Sequence, residues 1–176
     1  DVPGGLNVDA SSNDYIDFWF TDNDSGAYWT FGGDNNYYEA IDYSIINVDD
    51  GWYGGSSDPW GYTHQTYLHE IGHAMGLGHQ GNYNGTGGFD GDATYLQDSW
   101  QASMMSYFSQ DENPNTDASY AFVSTSMTVD NYALDQLYAS QSYGDNVFGT
   151  SQAFLGDTVY GNNTNIDESV SYYWYN

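Results

Sequence analysis

The alternation of apolar and polar positions predicts β-strands in the first third of the chain. From Asp14 to Thr21 (DYIDFWFT) apolar side chains occupy every second position, and a turn-forming DNDSG segment follows. Two more short strands are predicted, at Ala27 to Phe31 (AYWTF) and Tyr43 to Val48 (YSIINV), between turns rich in glycine and asparagine. The N-terminal part is therefore predicted to form a small sheet.

A period near 3.6 residues predicts two helices further along the chain. The first spans Tyr62 to Met75, with Thr63 as a candidate N-cap and Gly76 as the residue that ends it. Its predicted buried face consists of Leu68, Ile71, Gly72 and Met75. The second spans Thr128 to Ser140 and is capped by its threonine. Its predicted apolar face consists of Ala133, Leu134, Leu137 and Tyr138. A glycine-rich loop is expected over residues 78–91, and only weak strand signals after Gln141.

Composition excludes several classes of partner. The 176 residues, enough for one domain with a real core, contain 25 acidic side chains and neither lysine nor arginine. Nucleic acid and anionic membranes are excluded as partners, because binding to either depends on lysine or arginine. Most of the aspartates lie beside glycine, asparagine or serine. This pattern is typical of turns, and its carboxylates could serve as calcium ligands. Two explanations of the acidic bias remain open: solvation in a salty medium, and resistance to proteases that cut after basic residues.

Three of the four histidines lie in one eleven-residue segment, HEIGHAMGLGH. The chain has no cysteine, so a metal would be held by His, Asp, Glu or Tyr. His69 and His73 stand one helical turn apart, which lets both imidazoles reach one zinc ion. Gly76 can adopt a left-handed conformation that reverses the chain, so that His79 becomes the third ligand. Glu70 points to the side of the metal as a base for water. The fourth histidine, His64, fits no ligand spacing.

The elongated motif resembles that of the metzincin zinc endopeptidases. A second segment, SMMSY (103–107), is similar to the methionine-turn of the serralysin branch. The resemblance implies that Met105 forms an apolar floor beneath the three histidines. It also implies that the hydroxyl of Tyr107 contacts zinc or the oxyanion. The chain departs from the serralysin pattern at Gln80, where proline is usual.

Other segments extend the resemblance over roughly residues 14–161. GNYNG (81–85) and DATYLQDS (92–99) resemble the loop between the third ligand and the methionine-turn, and YALDQLYA resembles the last helix of the catalytic domain. The implied fold is α+β and zincin-like: a twisted, mostly parallel sheet with an antiparallel edge strand, the active-site helix and a C-terminal helix. The edge strand would bind extended peptide by strand addition, and it would comprise Ala27, Tyr28, Trp29, Thr30 and Phe31.

The expected domain organisation follows from the same comparison. Residues 1–140 would form a catalytic domain whose N-terminal part is abbreviated, because only 68 residues precede His69. Residues 141–176 would be the tail of that domain or the start of a calcium-binding region that is missing here. Calcium is a second expected ion, on the evidence of the Asp-rich loops and the segment GDTVYG (156–161). The opening DVPGG predicts neither a signal peptide nor a membrane helix.

The predicted function is that of a secreted, extracellular zinc endopeptidase with Glu70 as general base. Its partners would be protein or peptide substrates, and a proteinaceous inhibitor or a missing terminal segment is a further candidate. Two alternatives remain: an inactive zinc-bound module that captures peptide, and an acidic calcium-dependent adhesion domain that stacks aromatic residues on sugars. The presence of Glu70 argues against the first, because a pure binder needs no base. The scattered distribution of the aromatic residues argues against the second.

Overall fold

The computed structural model describes residues 18–32, 43–52, 61–138, 142–143 and 146–147. The chain divides into two compact units. The N-terminal unit comprises residues 1–78 with 121–124, and the C-terminal unit comprises residues 79–120 with 125–176. None of the described helices is both long enough and apolar enough to cross a membrane.

The N-terminal unit contains a mixed three-stranded sheet. Its strands are β1 (Phe18–Thr21), β2 (Ala27–Gly32) and β3 (Tyr43–Val48), in the order β1-β3-β2. β1 runs parallel to β3, whereas β2 pairs antiparallel with β3 and occupies an edge of the described sheet. The prediction of an α+β fold is confirmed, and the arrangement is compatible with a zincin-like fold. The first four residues of the predicted strand, 14–17, lie outside the described residues.

A buried asparagine fixes the start of the edge strand. Asn47, which is fully buried, donates from Nδ2 to the carbonyl oxygens of Asp24 (2.8 Å) and Gly26 (3.0 Å). Its Oδ1 accepts the hydroxyl hydrogen of Thr21 at 2.8 Å. The left-handed backbone of Gly26 (φ 87°) completes the turn. Because one amide holds both ends of the turn, the register of β2 against β3 is strongly specified.

Helix α1 spans Tyr62–Ala74, close to the predicted bounds. The prediction of Thr63 as N-cap is wrong, because Gly61 occupies that position. The Thr63 hydroxyl instead donates to the carbonyl oxygen of Trp52 at 2.8 Å. A hydroxyl in the first turn of the helix thus anchors a preceding segment instead of capping the helix start.

The buried face of α1 also differs from the apolar face that was predicted. Leu68, Ile71 and Met75 are partly exposed. Of the predicted face Gly72 is buried, and the other buried positions of α1 are Thr63, Gln65, Thr66 and Glu70. The polar positions are satisfied by groups distant in sequence: the Gln65 side chain accepts the backbone N–H of Val123 at 2.6 Å, and Thr66 accepts the indole N–H of Trp52 at 3.0 Å. Hydrogen bonding therefore makes burial of this face possible.

The described part of the C-terminal unit is largely loop and contains two helices, α2 (Phe89–Asp92) and α3 (Thr128–Tyr138). The short α2 lies where the sequence predicted only loop. α3 ends at Tyr138. Of its predicted apolar face, Ala133, Leu134 and Tyr138 are half-buried and Leu137 is 49% exposed, whereas Asp130 is the buried residue of the helix. Thr128 lies within the helix, and the backbone N–H of Met127 donates to Asp130 Oδ2 at 2.8 Å. The weak strand signals correspond to an antiparallel pair, β4 (Ser142–Tyr143) and β5 (Asn146–Val147).

Candidate metal centre

A tight chain reversal follows α1. Gly76 has a left-handed backbone (φ 92°). Its N–H donates to the carbonyl oxygen of His73 at 2.9 Å, and the N–H of Leu77 donates to the carbonyl oxygen of Gly72 at 2.9 Å. These two hydrogen bonds form a Schellman motif, in which the residue after the cap needs a positive φ. The predicted role of Gly76 in turning the chain agrees with this geometry.

The three histidines of the motif lie close together. The rings of His69 and His73 meet edge to face with centroids 4.7 Å apart. One ring nitrogen from each of His69, His73 and His79 lies within 4.8 Å of the others. Within the described residues this is the one group of three or more His, Cys, Asp or Glu side chains that could hold a metal ion. The triad was predicted from spacing alone.

Backbone carbonyl groups orient two of these rings. Nδ1 of His73 lies 2.8 Å from the carbonyl oxygen of Leu77, and Nδ1 of His79 lies 2.8 Å from that of Tyr83. A carbonyl oxygen can only accept, so each Nδ1 carries the hydrogen, and in the neutral ring each Nε2 carries the lone pair that can bind a metal. Hydrogen bonds of this kind typically orient zinc-binding histidines. The donor set therefore fits a zinc ion.

The protonation state of His73 also suits metal binding. Burial lowers the pKa of its ring, an effect that exceeds the opposing effect of the Leu77 carbonyl. The neutral imidazole, which is the form that binds a metal, is thus favoured in the folded chain.

Glu70 is buried next to the first histidine, with 6% of its surface exposed. Burial raises the pKa of its carboxyl group from 4.5 to about 7, although a backbone hydrogen bond from Trp29 acts in the opposite direction. A carboxyl group with a pKa near neutrality can both accept and return a proton, which is the requirement for a general base and acid. A cation bound nearby would lower this pKa again.

The predicted substrate strand coincides with β2, and one of its residues contacts the site. The indole of Trp29 stacks on the ring of His73, with centroids 6.4 Å apart, and on the ring of Phe31 at 5.1 Å. Among the described residues, its Nε1 is buried without a hydrogen-bond partner. The hydroxyl of Tyr28 donates to Asp24 at 3.0 Å. Ala27 lies opposite Val48 on β3, and Thr30 is exposed.

Tyr107 and Met105 occupy different environments. The ring of Tyr107 meets that of His79 with centroids 4.5 Å apart, and its hydroxyl accepts the backbone N–H of Gly85 at 3.2 Å. Met105 is buried, with 2% of its surface exposed. The residues that sequence reasoning missed are the backbone acceptors at Leu77 and Tyr83, because a carbonyl group leaves no trace in side-chain identity.

The remaining predicted features lie apart from the triad or outside the described residues. His64 is not a member of the triad, and its Nε2 lies 3.3 Å from the carbonyl oxygen of Ser124. It is thus a hydrogen-bonded histidine. The segment GDTVYG (156–161), the candidate calcium region, lies outside the described residues.

Comparison with known proteins finds relatives that are serralysins and similar metalloproteases. The chain is 41% identical over 125 residues to Serralysin A of Dickeya chrysanthemi, a match that covers 71% of this chain and 22% of the relative. It is 35% identical over 167 residues to Serralysin B of the same organism, covering 93% of this chain and 29% of the relative. Metalloprotease AprA of Pseudomonas entomophila is 40% identical over 109 residues, covering 60% of this chain and 21% of the relative. The chain thus spans less than a third of the length of these relatives. No family model matches it.

Proposed function

Because the chain is related to the serralysins, in the metzincin family of zinc endopeptidases, we propose that it hydrolyses peptide bonds in protein or peptide substrates. The observation that carries this proposal is the convergence of three histidines beside a buried glutamate. Two of these histidines present Nε2 as a lone-pair donor, and the glutamate has a pKa near neutrality. A binding module would need the histidines but not the glutamate.

His69, His73 and His79 would hold the zinc ion. When bound, zinc supplies Lewis-acid polarisation of a carbonyl group and a lowered pKa for water. The side chains of this chain would carry out the proton transfers. Glu70 takes a proton from the attacking water and returns it to the leaving amine, and its burial raises the pKa of its carboxyl group, which opposes the lowering caused by a nearby cation.

Tyr107 and the edge strand would act on the substrate. The Tyr107 hydroxyl, which accepts the backbone N–H of Gly85, would donate its own hydrogen to a developing oxyanion. β2 would bind an extended peptide along the edge that it forms in the described sheet, in the zincin-like arrangement. Met105 would support the site from the buried interior, and Gly76 would hold the reversal on which the third ligand depends.

A casein assay tests the proposal most directly. The protein should release peptides, lose activity with a zinc chelator and regain it when zinc is restored. Zinc binding without hydrolysis would support the alternative of an inactive peptide-binding module. Calcium-dependent sugar binding without zinc would support the alternative of an adhesion domain, and either result would refute the endopeptidase.

The wider context of the chain is also a proposal. We expect residues 1–140 to act as the catalytic domain and residues 141–176 to be its tail or to lead into a calcium-binding region. Secretion to the extracellular space and inhibition by a protein partner are further expectations, supported by the relationship to serralysins.

A further inference from the structure

We propose that Tyr83, anchored by the buried carboxylate of Asp98, is a positioning residue for both His79 and Tyr107. The inference rests on the proposed function in one respect, since it takes His79 as a zinc ligand. All the residues involved lie in the C-terminal unit.

Tyr83 contacts His79 in two ways. Its carbonyl oxygen accepts the Nδ1–H of His79 at 2.8 Å, and its ring stacks on the imidazole with centroids 5.4 Å apart and an interplanar angle of 23°. The hydrogen bond fixes which nitrogen faces the metal, and the stacked ring restricts rotation of the imidazole. Both constraints depend on where Tyr83 itself is held.

The same ring also supports Tyr107. The centroids of Tyr83 and Tyr107 are 4.8 Å apart, and Tyr107 in turn contacts His79 at 4.5 Å. The three rings therefore form one cluster, so a tilt of Tyr83 would move the third metal ligand and the proposed oxyanion donor together. The ring of Tyr83 also packs against buried Phe108, with centroids 4.9 Å apart.

Asp98 fixes the far end of Tyr83. The tyrosine hydroxyl donates to both carboxylate oxygens, at 3.1 and 3.2 Å, and Asp98 is fully buried. A second hydroxyl, that of Ser106, donates to Oδ1 at 2.7 Å. A buried carboxylate needs such donors, so the Tyr83 hydroxyl is held firmly. Burial, with the Asp98 charge as a smaller cause, raises the pKa of this hydroxyl and keeps it a donor.

Tyr83→Phe isolates this anchor, because it removes the hydroxyl and retains both the ring and the backbone acceptor for His79. Removing the direct hydrogen-bond partner of a metal ligand typically lowers metal affinity by about 10- to 100-fold, and because the Tyr83 hydroxyl lies one step further out, we expect a loss near the lower end of that range. Asp98→Asn keeps the shape of the anchor but weakens it as an acceptor, so it should lower zinc affinity in the same direction.

The measurements are zinc affinity, by competition with a chromophoric chelator, and the visible absorption spectrum of the cobalt-substituted protein. The spectrum reports ligand geometry directly, so a purely structural role would not change it. Tyr132→Phe makes the same chemical change at a side chain that is 67% exposed, and it should bind zinc like the parent. Ile46→Val removes one methylene from the fully buried core of the N-terminal unit and controls for general loss of stability.

The proposal is overturned if Tyr83→Phe binds zinc like the parent with an unchanged cobalt spectrum, or if Ile46→Val weakens zinc binding as much. Failure of Tyr83→Phe to fold would also overturn it, since the hydroxyl would then be structural. A parent protein that binds no zinc would instead refute the proposed function, so the two failures can be told apart.

Discussion

Replacement of Gly76 by alanine tests the chain reversal that joins α1 to the third histidine. The residue has φ 92°, a conformation that costs an L-residue about 1–2 kcal/mol. The alanine also restricts the unfolded chain, which offsets about 0.4–1 kcal/mol of that cost. A net loss of about 1 kcal/mol in the free energy of unfolding is therefore expected. For a chain of this size that loss lowers Tm by about 2–4 °C.

Gly78→Ala is the matched control, two residues further along the same loop. A Cβ built on Gly78 meets no atom within 4 Å, and its φ is not among the positive glycine values. Only the effect on the unfolded chain remains, so the substitution should raise stability by about 0.4–1 kcal/mol. The two alanines, which are chemically identical changes, should thus shift Tm in opposite directions.

Thermal unfolding of both variants with excess chelator gives the effect on the fold, and zinc titration gives the effect on the site. Gly76→Ala should also bind zinc more weakly, because the reversal brings the carbonyl oxygen of Leu77 to Nδ1 of His73. Gly78→Ala should bind zinc like the parent. If Gly76→Ala and Gly78→Ala shift Tm equally, Gly76 is not the position where the left-handed backbone disfavours alanine.

Four further predictions concern the site and the composition. His79→Ala should lose stoichiometric zinc after dialysis, and full retention would contradict the three-ligand site. Glu70→Gln should keep zinc while hydrolysis falls by about 10²- to 10⁴-fold, so near-normal turnover would contradict its role as base. Tyr107→Phe should lower kcat by about 10²- to 10³-fold with little change in KM, whereas a change in zinc content alone would assign the hydroxyl to the resting metal. Heat-denatured protein should resist trypsin, because it contains no lysine or arginine, but not an aromatic-directed protease.

Much of the candidate site could be predicted from the sequence because its geometry is local. The histidines lie within eleven residues, so helical spacing and one glycine are enough to predict that their side chains converge. β2 and β3 also match their predicted segments to within one residue, since short apolar segments lie between clear turn signals. Local pattern and tertiary structure agree at these positions.

The prediction failed where long-range hydrogen bonds decide burial. Hydrophobic periodicity favoured Leu68, Ile71 and Met75 as the inner face of α1, but the buried side chains include Gln65 and Thr66. Their partners lie 58 and 14 residues away in the chain, and no local pattern can reveal them. The carbonyl groups that orient the histidine rings were missed for the same reason.

The absence of lysine and arginine governs how the buried acids are accommodated. An ionised carboxylate that is buried without partners is strongly destabilising. Because this chain contains no lysine or arginine, its buried carboxylates cannot pair with either. Uncharged hydrogen-bond donors replace the missing cations. Asp98 accepts hydrogen bonds from two hydroxyls. Asp130 accepts hydrogen bonds from the Ser103 hydroxyl at 2.6 Å and from the backbone N–H groups of Met104 and Met127 at 2.8 Å. Such bonds contain no opposite charge for salt to screen. Added salt should therefore act mainly on the repulsion among surface acids, and so stabilise the fold.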